Sequence, residues 1–113
     1  MLAHNHTAVI ARNEIWAAGP AQTEPYEAGW AREAIVFLTS LRAAGLAAGN
    51  QAARVQMSPD GMRWADEGTT LDIPIQANGV SMARLRHFGN WLRVVADVPA
   101  GGEAAVVVTL HLK

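Results

Sequence analysis

The sequence contains no cysteine, so neither a disulfide framework nor a metal site with thiolate ligands is open to it. It also lacks an excess of charge of either sign, because nine Lys and Arg residues stand against ten Asp and Glu residues, a net charge of -1. Proteins that bind nucleic acid phosphates usually carry a clear excess of positive charge. We therefore expect no nucleic acid partner.

Long apolar runs and catalytic signatures are missing as well. No run of about 18 apolar residues occurs, and this excludes a predicted membrane span. No G-x-S-x-G motif or comparable nucleophile signature is present. The sequence thus predicts a protein that is not an enzyme and needs no cofactor. Its 113 residues predict a single domain over residues 1–113.

Short runs of alternating apolar and polar residues fill the chain after Gln51, as at residues 52–57 and 71–76. Turn residues separate them at intervals of about 8–12 residues, which is typical of β-sandwiches and barrels. Pro74 lacks an N–H group and predicts a sheet edge or a bulge. The valine-rich runs 91–98 and 104–112 are predicted to form a hairpin.

The amino-terminal half is more ambiguous. Residues 33–41 (EAIVFLTSL) fit a helix by the spacing of Trp30, Ala34, Phe37 and Leu41, or a buried strand by their β-branched and aromatic content. We favour the strand, because a chain of hairpins most simply adds another strand to its sheet.

Residues 7–16 predict a first strand and residues 17–29 a loop. The whole pattern predicts an all-β fold, a single antiparallel β-sandwich of about seven or eight short strands, jelly-roll-like or immunoglobulin-like.

One segment predicts a specific turn between two strands. Ser58, Pro59, Asp60 and Gly61 fit a type I turn, because Pro59 fixes φ and Gly61 tolerates positive φ. Trp64 follows the turn and is predicted to return into the core. These five residues are therefore interpreted as structural.

Three segments resemble small β-sandwich structural proteins of phage, prophage and other virion-like assemblies. They are EAIVFLTSL, VQMSPDGMRW and HFGNWLRVVADV, and the resemblance covers roughly residues 30–113. It implies a role in decorating capsids, tails or fibres, at a particle surface. The S-x-D-G-x-x-W turn also looks like one in carbohydrate-binding sandwiches, where it serves the fold more than the ligand.

The aromatic residues form one candidate binding set. Four tryptophans accompany only two Phe and one Tyr. Trp91 precedes the inward-facing Leu92 by one position, which places it outside the core. Trp91, Trp30 and Tyr26 are candidates for stacking on a glycan or for anchoring a subunit interface. Alternatively, they cap the open ends of the sandwich.

Basic residues form a second candidate set. Arg84 and Arg86 are two positions apart and share a predicted face, and Arg93 is expected on a neighbouring strand. Such a stripe is usually a solvated face. It is also suited to an acidic surface on another subunit.

Metal and carboxylate sites are weaker candidates. His4 and His6 have the spacing of two ligands on one strand face, but a third ligand would have to come from elsewhere, for example His87 or His111. No metal site is therefore predicted. Asp60, Asp66 and Glu67 lie close together in sequence and could offer acid–base or Ca²⁺ chemistry.

Apolar residues on both faces of the predicted strands point to self-association. Half of the residues are hydrophobic, and Ile35 and Phe37 oppose Val36 and Leu38 in one strand. A sandwich buries one face of each sheet, so the other apolar face needs a cover. The predicted function is a non-catalytic structural or decoration protein whose partners are further copies of itself and other assembly subunits. A carbohydrate- or cell-surface-binding module is the alternative.

Overall fold

The protein consists of antiparallel β-strands in a computed structural model that describes residues 5–113. The strands are β1 (His6–Gln22), β2 (Tyr26–Glu27), β3 (Ala34–Ala44), β4 (Ala52–Ser58), β5 (Ala65–Asp72), β6 (Gly79–Leu85) and β7 (Trp91–Leu112). They form one seven-stranded sheet, so the all-β prediction is confirmed. Within residues 5–113, no helix has the length and apolar character needed to cross a membrane.

The two longest strands, β1 and β7, run side by side and organise the sheet. Residues 91–98 of β7 lie between β4 and the end of β1, with β2 also pairing there. Residues 103–112 of β7 lie between β3 and the start of β1. We call the part of the sheet that runs from residues 91–98 of β7 through β4 to β5 the β4 half. The part that runs from residues 103–112 of β7 through β3 to β6 is the β3 half.

The predicted hairpin between residues 91–98 and 104–112 is wrong. Both runs belong to β7, which bends at residues 99–102 while remaining beside β1. Val98 pairs with Gly19, and Glu103 pairs with Ala17. The bend leaves four residues of β7 opposite Ala18 alone, which is a large bulge. Each run pairs with different neighbours and not with the other run.

A glycine makes room for this bend. Gly45 has a φ of +70°, and a Cβ atom there would lie 2.0 Å from the carbonyl oxygen of Gly101. The backbone that follows β3 can therefore approach the bulge this closely only because residue 45 is a glycine, which has no side chain.

The sheet is nearly closed, like a barrel. Tyr26 pairs with Leu92 at the start of β7, and His6 pairs with Leu112 at its end. The rings of Tyr26 and His6 lie 6.1 Å apart, so the two ends of β7 come close together. At the other margin, the Ser81 hydroxyl of β6 donates a hydrogen bond to the Asp72 carbonyl of β5.

The core lies inside this folded sheet. The inward residues of β7 alternate along both of its parts and are 5% exposed or less: Leu92, Val94, Ala96, Val98, Ala104, Val106, Val108, Leu110 and Leu112. Residues 34–44 form a strand, the favoured interpretation, and their inward Val36 and Leu38 are fully buried. Burial of such side chains contributes roughly 1.5–3 kcal/mol each.

Other boundaries differ from prediction. The predicted loop at residues 17–29 is partly wrong, because β1 continues to Gln22 and β2 follows. The strand predicted through Ile75 ends at Asp72. Pro74 follows that end and Ile75 is exposed, since a proline cannot extend the ladder.

Candidate functional site

The turn between β4 and β5 is held by two side chains. The buried Ser58 hydroxyl accepts hydrogen bonds from the N–H groups of Asp60 and Gly61, at 3.2 and 2.8 Å. The Asp60 carboxylate accepts from the N–H groups of Met62 and Arg63, both at 2.9 Å. These backbone hydrogen bonds, from Arg63 first, lower the pKa of Asp60 to about 2.

Trp64 does not return into the core, so that prediction is wrong. It is half-buried, and the guanidinium carbon of Arg93 lies 4.2 Å from its ring centroid. A cation over an aromatic face is electrostatically favourable. The position after the turn thus directs the indole onto the outer face of the β4 half.

Trp91 packs beneath the turn and is half-buried. A Cβ atom at Gly61 would lie 3.2 Å from the Trp91 ring, and Gly61 has a φ of +79°. Trp91 faces outward as predicted from its alternation with the buried Leu92, but the turn covers part of its ring.

A polar network surrounds Arg93 on the outer face of the β4 half. Its Nε and Nη2 donate to Gln56 Oε1 at 3.0 and 2.7 Å, and its Nη1 donates to Gln22 Oε1 at 3.2 Å. Next to it, Arg54 lies 3.3 Å from both Asp66 and Asp97. We call the six residues Gln22, Arg54, Gln56, Asp66, Arg93 and Asp97 the polar outer face.

Trp30 and Tyr26 lie together, apart from the polar outer face. His6 stacks with Tyr26 at 6.1 Å and meets Trp30 edge-on at 5.9 Å. Tyr26 is half-buried against the core, whereas Trp30 is 56% exposed. The cluster lies at the end where both ends of β7 meet, as expected of residues that cap an open end.

The predicted stripe of Arg84, Arg86 and Arg93 does not form. Arg84 lies on β6 and Arg86 just beyond it, in the β3 half, whereas Arg93 belongs to the β4 half. Arg84 and Arg86 are exposed and line a depression of about 300 Å³ that also includes Glu33 and Ile35.

The β3 half has a mostly apolar outer face. Register places Ile35 beside Arg84, Phe37 beside Met82 and Thr39 beside Val80. Val80 is 59% and Met82 40% exposed, and Val9 of β1 is 42% exposed. We call Val9, Ile35, Phe37, Val80, Met82 and Val107 the apolar outer face. His111 lies edge-on over Phe37 at 4.9 Å.

The metal and carboxylate candidates are not brought together. His4 lies outside the described residues, and His6 contacts aromatic rings. Asp66 accepts hydrogen bonds from Arg54 and Gln56, while Glu67 Oε1 accepts from the Thr69 N–H at 2.9 Å. Across residues 5–113, no three His, Asp or Glu side chains are placed to hold a metal ion.

Glu14 of β1 lies near a second carboxylate, that of Glu24, which follows the end of the strand. Burial, and then the nearby charge of Glu24, raise the pKa of Glu14 above its ordinary value. Glu14 pairs with the buried Val106 beside the backbone irregularity at Asn13, whose φ is +51°.

Sequence reasoning missed the contact of Arg93 with Gln56 and Trp64. Alternation along β4 and β7 places Arg54, Gln56 and Arg93 on one face, and that signal is visible in the sequence. The pairing of Gln56 with Arg93 depends on the register of two strands more than thirty residues apart, which alternation does not specify.

Comparison with known proteins places the fold but not a family. No known family model matches the chain, and no curated protein matches it in sequence. The crystal structure of the SPBc2 prophage-derived protein YomS is similar, with a TM-score of 0.53 over 99% of this chain and 96% of that chain. The two sequences are 12% identical, so the likeness concerns the fold alone.

Proposed function

We propose that this protein is a non-catalytic structural component of a phage-derived or comparable assembly, in which copies associate through the apolar outer face. The observation that carries this proposal is the exposure of Val80 and Met82, 59% and 40%, beside Phe37. A contiguous exposed apolar patch rimmed by polar residues often marks a protein–protein contact. The prophage origin of YomS, which has a similar fold, is consistent with the phage part of the proposal.

The size of the face sets the strength of association. Four strands about 4.8 Å apart and seven residues of about 3.4 Å each give a face on the order of 450 Å². A standard interface covers about 800 Å² per partner. The face alone therefore supports a weak contact, which neighbouring subunits in an assembly would reinforce.

We also propose that the folded sheet is a flattened two-layer sandwich. The molecule measures 45 × 32 × 21 Å, and the shortest dimension suits two sheets about 10 Å apart with their twist. Such flattening leaves two broad outer faces, of which the apolar outer face is one. A crystal structure with a round barrel cross-section would contradict this arrangement.

Self-association is tested with charges on the apolar outer face. Because the contact is weak, light scattering coupled to size exclusion is expected to show the native protein forming an oligomer as its concentration rises from micromolar to about millimolar. The double variant Val80→Lys/Met82→Lys is expected to weaken association by about 100-fold or more, since like charges would meet across the contact. Both positions are exposed, so the fold should tolerate the lysines.

Met62→Lys is the matched control. Met62 is 75% exposed on the Ser58–Trp64 turn, away from the apolar outer face, and its replacement should leave the oligomer unchanged. A native protein that stays monomeric throughout this range would refute self-association by this face. Equal loss of the oligomer in the control would refute the choice of face.

A second candidate function is binding of a glycan or cell surface through aromatic side chains. The exposure of Trp30 beside Tyr26 favours it, because exposed rings stack on sugars. A glycan array probed with the native protein is expected to give signals that Trp30→Ala removes, with Trp91→Ala testing the half-buried ring. Uniform silence of the native protein on the array would exclude this candidate.

A further inference from the structure

Arg93 is held rigidly by parts of the chain that are distant in sequence. Gln56 Oε1 of β4 accepts from two of its nitrogens, and Gln22 Oε1 of β1 accepts from the third. The guanidinium carbon lies over the Trp64 ring, 4.2 Å from its centroid. A guanidinium has five N–H donors, so two remain after these three hydrogen bonds.

The fixed cation has no carboxylate partner among residues 5–113. The nearby carboxylates of Asp66 and Asp97 both lie within 3.3 Å of Arg54 instead. Burial, followed by the charge of Arg54, lowers the pKa of Arg93, which means that its surroundings disfavour the positive charge. An incoming anion would relieve this imbalance.

A cleft next to Arg93 provides space for such an anion. It has a volume of about 190 Å³, and its polar lining comes from Gln22, Arg54, Gln56, Arg93 and Asp97. Sites for drug-sized ligands usually exceed about 300 Å³, so this cleft suits a single small ring. Guanidinium binds carboxylate through paired hydrogen bonds, while amide and carboxylate oxygens accept hydrogen bonds from hydroxyl groups.

We propose that this cleft binds an acidic sugar, with Arg93 pairing to the sugar carboxylate and Gln22 and Asp97 accepting hydrogen bonds from its hydroxyl groups. An acidic peptide side chain fits less well, since it brings no hydroxyl groups to match these acceptors. The site lies in the β4 half, away from both the apolar outer face and Trp30. It therefore goes beyond the proposed assembly function and does not depend on it.

Titration with sodium glucuronate tests the proposal, with glucose as the uncharged sugar of the same ring size. Tryptophan fluorescence and calorimetry are the readouts, since Trp64 contacts Arg93. We expect a dissociation constant on the order of millimolar for glucuronate, as befits one small ring. Glucose should bind at least about tenfold more weakly, because it lacks the charged partner of Arg93.

Variants separate the role of Arg93 from general folding. Arg93→Gln should weaken glucuronate binding by about tenfold or more, and Arg93→Lys by less, because lysine keeps the charge and loses the planar pair of donors. Arg86→Gln, which removes an exposed charge in the β3 half, should change nothing. If Arg93→Gln unfolds, Gln22→Ala replaces it, since it removes one hydroxyl acceptor and one support of Arg93 without changing charge.

Several results would overturn the proposal. These are no glucuronate binding by the folded native protein, equal binding of glucose, or undiminished binding by Arg93→Gln or its replacement. Binding of poly-glutamate without binding of glucuronate would assign the cleft to acidic peptides instead. Light scattering on the same samples reads self-association separately, so failure of one proposal is distinguishable from failure of the other.

Discussion

Two buried serines differ in the partners of their hydroxyl groups. Ser40 is fully buried, and its hydroxyl has no hydrogen-bond partner within residues 5–113. Ser58 is 1% exposed, and its hydroxyl accepts hydrogen bonds from two backbone N–H groups. An unsatisfied buried hydroxyl opposes folding, whereas loss of a satisfied one leaves its partners unpaired.

Alanine substitutions at the two serines should therefore have opposite effects. Ser40→Ala is expected to stabilise the protein by about 1 kcal/mol, and Ser58→Ala to destabilise it by about 1–3 kcal/mol. Urea unfolding followed by circular dichroism measures both changes. Destabilisation by Ser40→Ala similar to that of Ser58→Ala would mean that the Ser40 hydroxyl has a partner after all.

At the scale of elements, the Ser58–Trp64 turn depends on an ionised carboxylate. The pKa of Asp60 is lowered from 3.8 to about 2 in the folded protein. Because the folded value is the lower one, the carboxylate stabilises the turn above about pH 4, and this contribution disappears as the pH falls towards 2.

Thermal unfolding of the native protein and Asp60→Asn at a series of pH values tests this dependence. The native protein should have the higher Tm at neutral pH, since its carboxylate accepts hydrogen bonds from Met62 and Arg63. The difference should be constant down to about pH 4 and shrink below it. A difference that persists unchanged at pH 2 would mean that the charge of Asp60 does not hold the turn.

Strands were easier to predict from the sequence than their partners. Alternation identified the inward residues of β4 and of residues 91–98 in β7, because each side chain direction follows from the residue's own position along the strand. The bend at Pro99–Gly102 was mistaken for a hairpin turn, since proline and glycine residues occur in both. Only pairing with β1 distinguishes them, and that pairing involves residues some eighty positions away.

At the scale of the whole molecule, the two outer faces differ in chemistry. The β3 half has an apolar outer face that includes Val80 and Met82, and the β4 half has charged and amide side chains around Arg93. The sequence indicated the surplus of apolar surface. It did not indicate the cleft beside Arg93, because Gln22, Gln56 and Arg93 meet only through strand register.

The pairing of His6 with Leu112 also determines how the protein responds to a mechanical load. These residues lie opposite each other at one end of an antiparallel ladder, so opposed forces on them would separate β1 from β7 one residue pair at a time. Strands pulled along their length must instead break many hydrogen bonds together. A subunit tethered through residues 6 and 112 would therefore open at low force. A subunit held through its sheet faces would transmit no force to the hydrogen bonds between β1 and β7.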